Sequence, residues 1–574
     1  MTLIRMGLFG LSTLGFFELI RRAANNKVDL FFLPSLTIAL QVTILFFSGI
    51  LNLLPEVSKL IYLAGLVMFA VCLWKNKSLK FVKDYINDGY ISSLIILIIM
   101  AFSVKGKLFA HYDNFSHWAM VVRHMLEVNH FPNFESSLIQ FQEYPLGSSS
   151  YIYYFAGMIN KSESIQMLAQ TYMIVAALLP LFSFVARRSI KMDLVYIAFV
   201  NFVLTYNIKP GDLLVDTLLP TVGICALLFA KKHCIYENDK LHFWLLSCYL
   251  IQLIQIKNSG LFFVAAVIAV CLKQYWKGAK RLNNLCAALF PFLTLVIWQK
   301  HCKYVFPTAA TTKHAMTVEN YKSVFGDKTA EDIKTICTGM ARVSFTSRGI
   351  LALLGIAAII GCCVFFFSRN DWKDYKNCFL FTLIFYVCYQ LGTLGMYLFS
   401  MPGGEATSLA SSDRYLKTII IAIFMLYIAF ALKSFSSSSI SENIKTLTAG
   451  ILIICIASLS FISQGKLEFA PATVKNNEER MWIEKNRDDY AIPKHDSYCM
   501  LIPCDDSYFT EYLLEYIFQS RDVSSAVVDD PDDLKNISSK YIFVYDKDNE
   551  MIKAWISETY PEQAGNDVII REDM

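Results

Sequence analysis

At 574 residues, 55% of them hydrophobic and 17% charged, with a mean hydropathy of +0.43, the chain is too apolar for a soluble globular protein of its length. Its 52 basic and 48 acidic residues nearly cancel to +4 and cluster between apolar runs, a pattern of membrane topology that excludes nucleic-acid binding. Most of the cysteines, such as Cys72, Cys248, Cys271, Cys362, Cys363, Cys388 and Cys455, lie inside apolar runs and read as small buried hydrophobes. Cys302, Cys337, Cys499 and Cys504 fall in polar stretches, match no zinc spacing, and leave a Cys499–Cys504 pair open.

A helix needs about 17 to 25 apolar residues to cross a bilayer core, fewer where its ends are polar or partnered. On that criterion the sequence predicts an all-α polytopic membrane protein with about fourteen spans, about thirteen if the first does not cross. They lie near 6–20, 30–54, 59–74, 90–104, 168–186, 194–208, 213–230, 241–256, 259–273, 284–299, 350–367, 377–399, 415–432 and 446–463. The first run has no small-residue cleavage site before Arg21 and Arg22, so it is expected to stay as a span.

Short loops rich in Lys and Arg remain cytoplasmic. The loops carrying Arg21, Arg22 and Lys27, then Lys75, Lys77, Lys80 and Lys83, then Arg187, Arg188 and Lys191 all fall on one side. So do those with Lys231 and Lys232, with Lys273, Lys277, Lys280 and Arg281, and with Lys373 and Lys376. The opposite, extracytoplasmic side then receives loops 105–167, 300–349 and 400–414, the tail, and both termini. A bacterial plasma membrane is the expected location.

Between two of the spans, the interval 105–155 gathers His111, Asp113, His117, Arg123, His124 and Glu143 beside the bilayer, a high density for a connecting loop. NFSHWAMVVRHML has helical apolar spacing through Phe115, Trp118, Val121, Val122 and Met125, which predicts an amphipathic helix along the membrane surface. Asp113 stands at its start, where an N-cap and a chemical role are both open. Glu143 either positions a ligand or faces water, His111, His117 and Arg123 either line a pocket or solvate the helix, and the aromatic stretch 151–155 reads as an interfacial belt. Asp216, in GDLLVDTLLP, is costly beside a span unless it is functional or paired, with Lys209 as the nearby partner. Lys257 and Arg414, at span ends, are snorkelling cations or anion ligands.

Several of these residues sit in an order that resembles the GT-C glycosyltransferases, the superfamily of protein mannosyltransferases and lipid A aminoarabinose transferases. Asp113 after a span, the helix to Leu126, HFP at 130–132 and Tyr144-Pro145-Leu146-Gly147 resemble the superfamily's first extracytoplasmic loop with its "YPP"-like exit. Asp216, the IKNSG stretch around Lys257 (resembling a "TKG" element) and SSDRYL around Arg414 (resembling "RYL") follow at outer ends in a topology set by charge bias alone. The likeness covers roughly 90–432 and departs from many relatives at Asn114, where a second acid often helps bind metal, so a divalent metal is left open and no other cofactor is implied.

What the resemblance implies is transfer of a sugar from a polyprenyl-phosphate donor to a cell-envelope glycan, lipid or protein acceptor, on the extracytoplasmic face of the bilayer. Asp113 would be the base for the acceptor, with Arg414 and Lys257 stabilising the leaving phosphate. Asp216, Glu143, His111, His117 and Tyr144 are the further substrate-binding candidates. Two rivals stand beside it: a transporter or flippase for a lipid-linked glycan, and a non-catalytic envelope-assembly scaffold. The absence of an internal repeat and the placing of ionisable groups at helix ends argue against the transporter.

Three parts follow: helices in 1–89 outside the matched pattern, the core 90–463, and a soluble tail 464–574. In the tail, SYCMLIP and KYIFVYD read as buried strands and SYFTEYLLEYIFQS as an amphipathic helix, a small extracytoplasmic α/β domain. SFSSSSIS, at 434–441, reads as a polar linker.

Overall fold

The computed structural model describes residues 1–574 except 78, 135, 137, 186–188, 236–238, 277–279, 307–317, 347, 438–440, 466–477 and 572–574. Arg187, Arg188 and Lys277 of the basic loops, the middle of SFSSSSIS and the start of the tail lie outside the described residues.

The apolar runs of the sequence fall mainly on helices, 213–217 at the start of one run lying in a loop, which gives a multi-pass membrane architecture. Among the described residues ten helices are long and apolar enough to cross a bilayer, or eleven if Leu79–Tyr85 and Asp88–Val104, bent by 80°, form one span. The expected count was higher because some runs make helices of marginal length. Ile190–Tyr206 and Lys240–Ile256 have 17 residues and Gly260–Tyr275 has 16. At 1.5 Å per residue these reach about 25 Å, against about 30 Å of hydrocarbon.

Helix Thr2–Ala23, the first run, packs closely along Leu54–Asn76. A Cβ on Gly15 would stand 1.9 Å from the Gly65 carbonyl oxygen, and one on Gly65 would stand 2.2 Å from Ser12 Oγ. Small residues here let two backbones approach, the usual device where no hydrophobic driving force separates helix from lipid. Leu33–Ile50 packs in turn on Gly147–Ile159 and Lys240–Ile256, so the first 89 residues share one apolar core with the rest.

The basic loops meet at one end of the bundle. Arg21 pairs with Asp84 at 2.7 Å, Lys27 with Asp239 at 3.3 Å, and Lys191 with Glu442 at 2.9 Å. Asp113, Asp216, Lys257 and Arg414 gather elsewhere, as described below.

The interval 105–155 differs from a helix lying on a surface. Asn114–Trp118 is a π-turn and Ala119–Val128 an α-helix, and residues around both, including Phe115, Met120, Val121, Val122 and Met125, are buried. One side packs on Gly147–Ile159 and the other on the tail helix Phe509–Phe518, which covers the face expected to meet lipid headgroups. The aromatic belt is likewise internal: Tyr151 and Tyr154 are each 1% exposed, inside Gly147–Ile159.

The tail is the predicted small α/β unit. Strands β1 (Tyr498–Leu501), β2 (Val523–Ala526), β3 (Tyr541–Val544) and β4 (Val568–Ile570) form one sheet in the order β2-β1-β3-β4. The first three are parallel and β4 is antiparallel to β3. The two stretches read as buried strands carry β1 and β3, and the stretch with amphipathic spacing carries the helix Phe509–Phe518. Cys499 is buried in β1 and Cys504 exposed, both as free thiols, so the Cys499–Cys504 pair is not formed.

A buried ion pair seats the tail on the bundle. Arg480, 2% exposed, donates to both carboxylate oxygens of Glu163 at 2.7 and 3.0 Å and to the Phe109 carbonyl at 2.8 Å. Glu163 also accepts the Tyr516 hydroxyl at 2.8 Å and the Phe109 amide at 2.6 Å, which satisfies the carboxylate.

Candidate functional site

Three turns that lie far apart in sequence build the site. The first joins Lys240–Ile256 to Gly260–Tyr275 with only three residues, so the chain doubles back tightly. Gly260 is required there, because a Cβ would stand 2.0 Å from the Leu253 carbonyl oxygen. Gly147 of the YPLG exit is pressed on the same turn: its Cβ would be 2.6 Å from Gln255 Cβ. Two stretches that were singled out in the sequence for separate reasons therefore touch.

The second turn is loop 207–217, between Ile190–Tyr206 and Leu218–Phe229. Gln170 donates to the Asp212 and Leu214 carbonyls at 3.0 Å each, and the Ile208 amide donates to Thr217 Oγ1 at 3.0 Å. Asn114 clamps it from the π-turn. Its amide donates to Asp212 at 3.0 Å, and its carbonyl oxygen accepts the Leu213 amide at 3.0 Å. Asn114 is thus fully buried and committed to holding this loop.

The third is the start of Ser412–Ser437, which carries Arg414 in its first turn. Thr418 Oγ1 donates to the Asp216 carbonyl at 3.0 Å, and Asn207 donates to the Arg414 carbonyl at 3.1 Å, which fixes this helix end over the loop.

Together these turns bring four predicted residues into contact. Arg414 donates to Asp113 Oδ2 at 2.6 Å, Lys257 donates to Asp216 Oδ1 at 2.9 Å, and Arg414 Nε lies 3.4 Å from Asp216 Oδ2. Tyr415 presents its ring to both cations, 5.2 Å from Lys257 Nζ and 5.7 Å from the Arg414 guanidinium carbon. Asp113 makes no side-chain cap on the turn it precedes, and Asp216 pairs with Lys257 and Arg414.

Asp216 is 2% exposed and lies beneath the two cations. Burial by itself would raise its carboxyl, but Lys257 and then Arg414 outweigh that and hold it below the usual carboxylate range. For Lys257 burial works downward, and the charge of Asp216 more than reverses it. Arg414 makes one hydrogen bond among the described residues, to Asp113, although a guanidinium carries five N–H donors.

Above this cluster opens a cavity of about 820 Å³. Asp113, Lys257, Arg414 and Tyr415 line one wall, and His117, Trp118, Phe141 and Tyr144 another. Leu261, Phe262 and the glycines Gly392 and Gly395 of Trp372–Phe399 make an apolar flank, and Tyr512 reaches in from the tail. Tyr144 stacks on Phe141 at 5.2 Å, and its desolvation pushes its phenol up to about 12.

Two predicted binding residues are not at the cavity wall. His111 is exposed, and its Nδ1 accepts the Asp113 amide at 3.1 Å, a contact that supports the turn from outside. Glu143 is not among the lining residues either, and its backbone carbonyl accepts Trp298 Nε1 at 2.9 Å. Sequence reasoning missed Asp212, Tyr415 and Tyr512. The two acids of GDLLVD, four residues apart at the end of a span, were the available signal for the first. Burial pushes the Asp212 carboxyl up, with His111 and the Asn114 bond pulling against it. Among the described residues no group of three or more His, Cys, Asp and Glu is arranged to hold a metal ion.

His117 is 4% exposed, and burial pushes its imidazole down from 6.5 to about 3. His124, hydrogen-bonded to Ser136 at 2.7 Å, is pushed down to about 4 for the same reason, with His130 adding to it. Between 6.5 and those values the unfolded chain binds more protons than the folded one, so stability falls as pH is lowered through that window. Each group contributes up to about 1.4 kcal/mol per pH unit. The unfolding midpoint should therefore drop between pH 7 and pH 5, with a shallower slope in His117→Phe; a slope equal to wild type in that variant would contradict the account.

Compared with protein-family models, curated proteins and solved structures, the chain matches none.

Proposed function

We propose that the chain is an integral membrane glycosyltransferase of the GT-C type, working on the extracytoplasmic face of a cell membrane. It takes a sugar from a polyprenyl-phosphate donor and passes it to an envelope glycan, lipid or protein. The observation that carries this reading is the meeting of Asp113, Asp216, Lys257 and Arg414, drawn from four separate stretches of chain, in one ion-paired cluster beside a cavity that Asp113, Lys257 and Arg414 line.

The phosphate belongs at Lys257 and Arg414. Each lies at or near the N-terminus of a helix, Gly260–Tyr275 and Ser412–Ser437, where the positive end of the helix dipole favours an anion. Asp216 keeps the two cations charged and in place. The apolar flank at Leu261, Phe262, Gly392 and Gly395 suits the isoprenoid chain.

Asp113 is the base. As the acceptor oxygen attacks the anomeric carbon, its proton passes to Asp113 and the carbon–oxygen bond to phosphate breaks, leaving the electron pair on phosphate. Lys257 and Arg414 meet the charge that develops there. Arg414 donates to Asp113 Oδ2 at 2.6 Å. A phosphate arriving at Arg414 competes for that donor and frees the carboxylate as the donor substrate seats, which couples donor binding to base availability.

This reading is tested by Asp113→Asn and Arg414→Ala, each assayed in membranes for sugar transfer. Loss of a general base costs about 10² to 10⁴ in rate, and loss of a charge-stabilising donor about 10² to 10³. Full activity in both would overturn the residue roles. The transporter reading needs polar groups in a central cavity; here they gather at a helix-end cavity.

A further inference from the structure

The cavity has two chemically different walls. One holds the cations and their carboxylates. The other is neutral and aromatic, built around His117, whose ring meets Trp118, Phe141 and Tyr144 edge-on at centroid distances of 4.9, 5.4 and 5.0 Å. His117 Nδ1 is buried and has no hydrogen-bond partner among the described residues, although the side chain lines the cavity. A buried polar atom left without a partner costs about 1 to 3 kcal/mol unless a ligand supplies one.

We infer that this wall seats the sugar of the donor, and that the sugar is uncharged. The inference rests on the glycosyltransferase reading above, which places phosphate at Lys257 and Arg414. Aromatic faces accept the apolar C–H side of a hydroxylated ring, and a neutral imidazole exchanges a hydrogen bond with a hydroxyl.

The charges nearby leave no counter-ion for a charged ring. An amino sugar would need a carboxylate, but Asp113, once phosphate has drawn Arg414 away, is committed to the acceptor hydroxyl as its base, and Asp216 lies under both cations. Glu405 also lines the cavity and already has an interaction of its own. A uronic acid would need a cation, and among the described lining residues the Lys and Arg are Lys257 and Arg414, which the phosphate takes. His117 cannot serve as one, since its desolvation keeps it neutral at physiological pH.

The experiment measures binding of four probes to the full chain in nanodiscs at pH 7: geranyl phosphate, geranyl phosphoglucose, geranyl phosphoglucosamine and geranyl phosphoglucuronate. In the wild type, glucose should tighten binding over geranyl phosphate by about tenfold, the worth of about 1.4 kcal/mol, and the two charged sugars should not. His117→Phe should lose the glucose increment while still binding geranyl phosphate, and His117→Gln should keep part of it. Equal gains for charged sugars, or an intact increment in His117→Phe, would overturn the inference and leave the transferase reading standing. If the wild type fails to bind geranyl phosphate, or binds it no better than Arg414→Ala does, the transferase reading falls and this inference with it. The wild-type series decides the matter even where a variant does not fold.

Discussion

Asp216→Ala should unfold or severely destabilise the protein, whereas Asp113→Asn should leave it folded. Both are carboxylates paired with Arg414, but their surroundings differ. Asp216 is 2% exposed and partners two cations, so its removal leaves Lys257 and Arg414 without their buried counter-charge. Breaking a buried pair on one side costs about 3 to 5 kcal/mol, a large share of the stability of an ordinary fold. The Asp113 side chain is 28% exposed, where solvent screens the pair and its net worth is about 0 to 1 kcal/mol. Unfolding in detergent, followed by a thermal scan, should separate the two variants clearly. A wild-type midpoint in Asp216→Ala would show that Asp216 does not hold the cations.

Arg480→Ala should release the tail from the bundle. Glu163 would lose both guanidinium contacts, at a cost of about 3 to 5 kcal/mol to docking, and the Tyr516 hydroxyl would leave it with the tail, while the Phe109 amide bond stays. Arg480→Lys should rescue little, since an ammonium does not reproduce the two-pronged geometry. Hydrogen exchange should rise in Phe509–Phe518 and Ala119–Val128, the helices that the docking covers. Activity should fall too, because Tyr512 leaves the cavity mouth, where its ring meets Tyr112 at 5.1 Å and its hydroxyl donates to Gln140 at 3.0 Å. Unchanged exchange in both helices would contradict the docking role.

The parts legible in the sequence are those governed by local cost. Apolar runs announce helices because a bilayer tolerates little else, and Asp216, Lys257 and Arg414 stood out because charges beside spans are expensive. What stayed hidden depends on partners distant in the chain. The pairing of Arg480 with Glu163 spans 317 positions, and nothing in either local stretch names the other. The same distance effect misled the reading of Asn114–Val128. Its apolar face was visible, but an amphipathic pattern does not say whether lipid or a tail helix covers it. The aromatic run 151–155 failed for a related reason: tyrosines suit a membrane interface and a protein core alike, and here the core took them.

The central claim is that the cavity over Asp216 performs transfer. The most direct measurement places the purified chain in proteoliposomes with a polyprenyl-phosphate donor carrying a radiolabelled sugar, and follows the label. The account predicts label in the acceptor for the wild type and almost none for Asp113→Asn, with the donor phosphate released in step. Label carried across the bilayer on an intact donor, with no acceptor product, would contradict it.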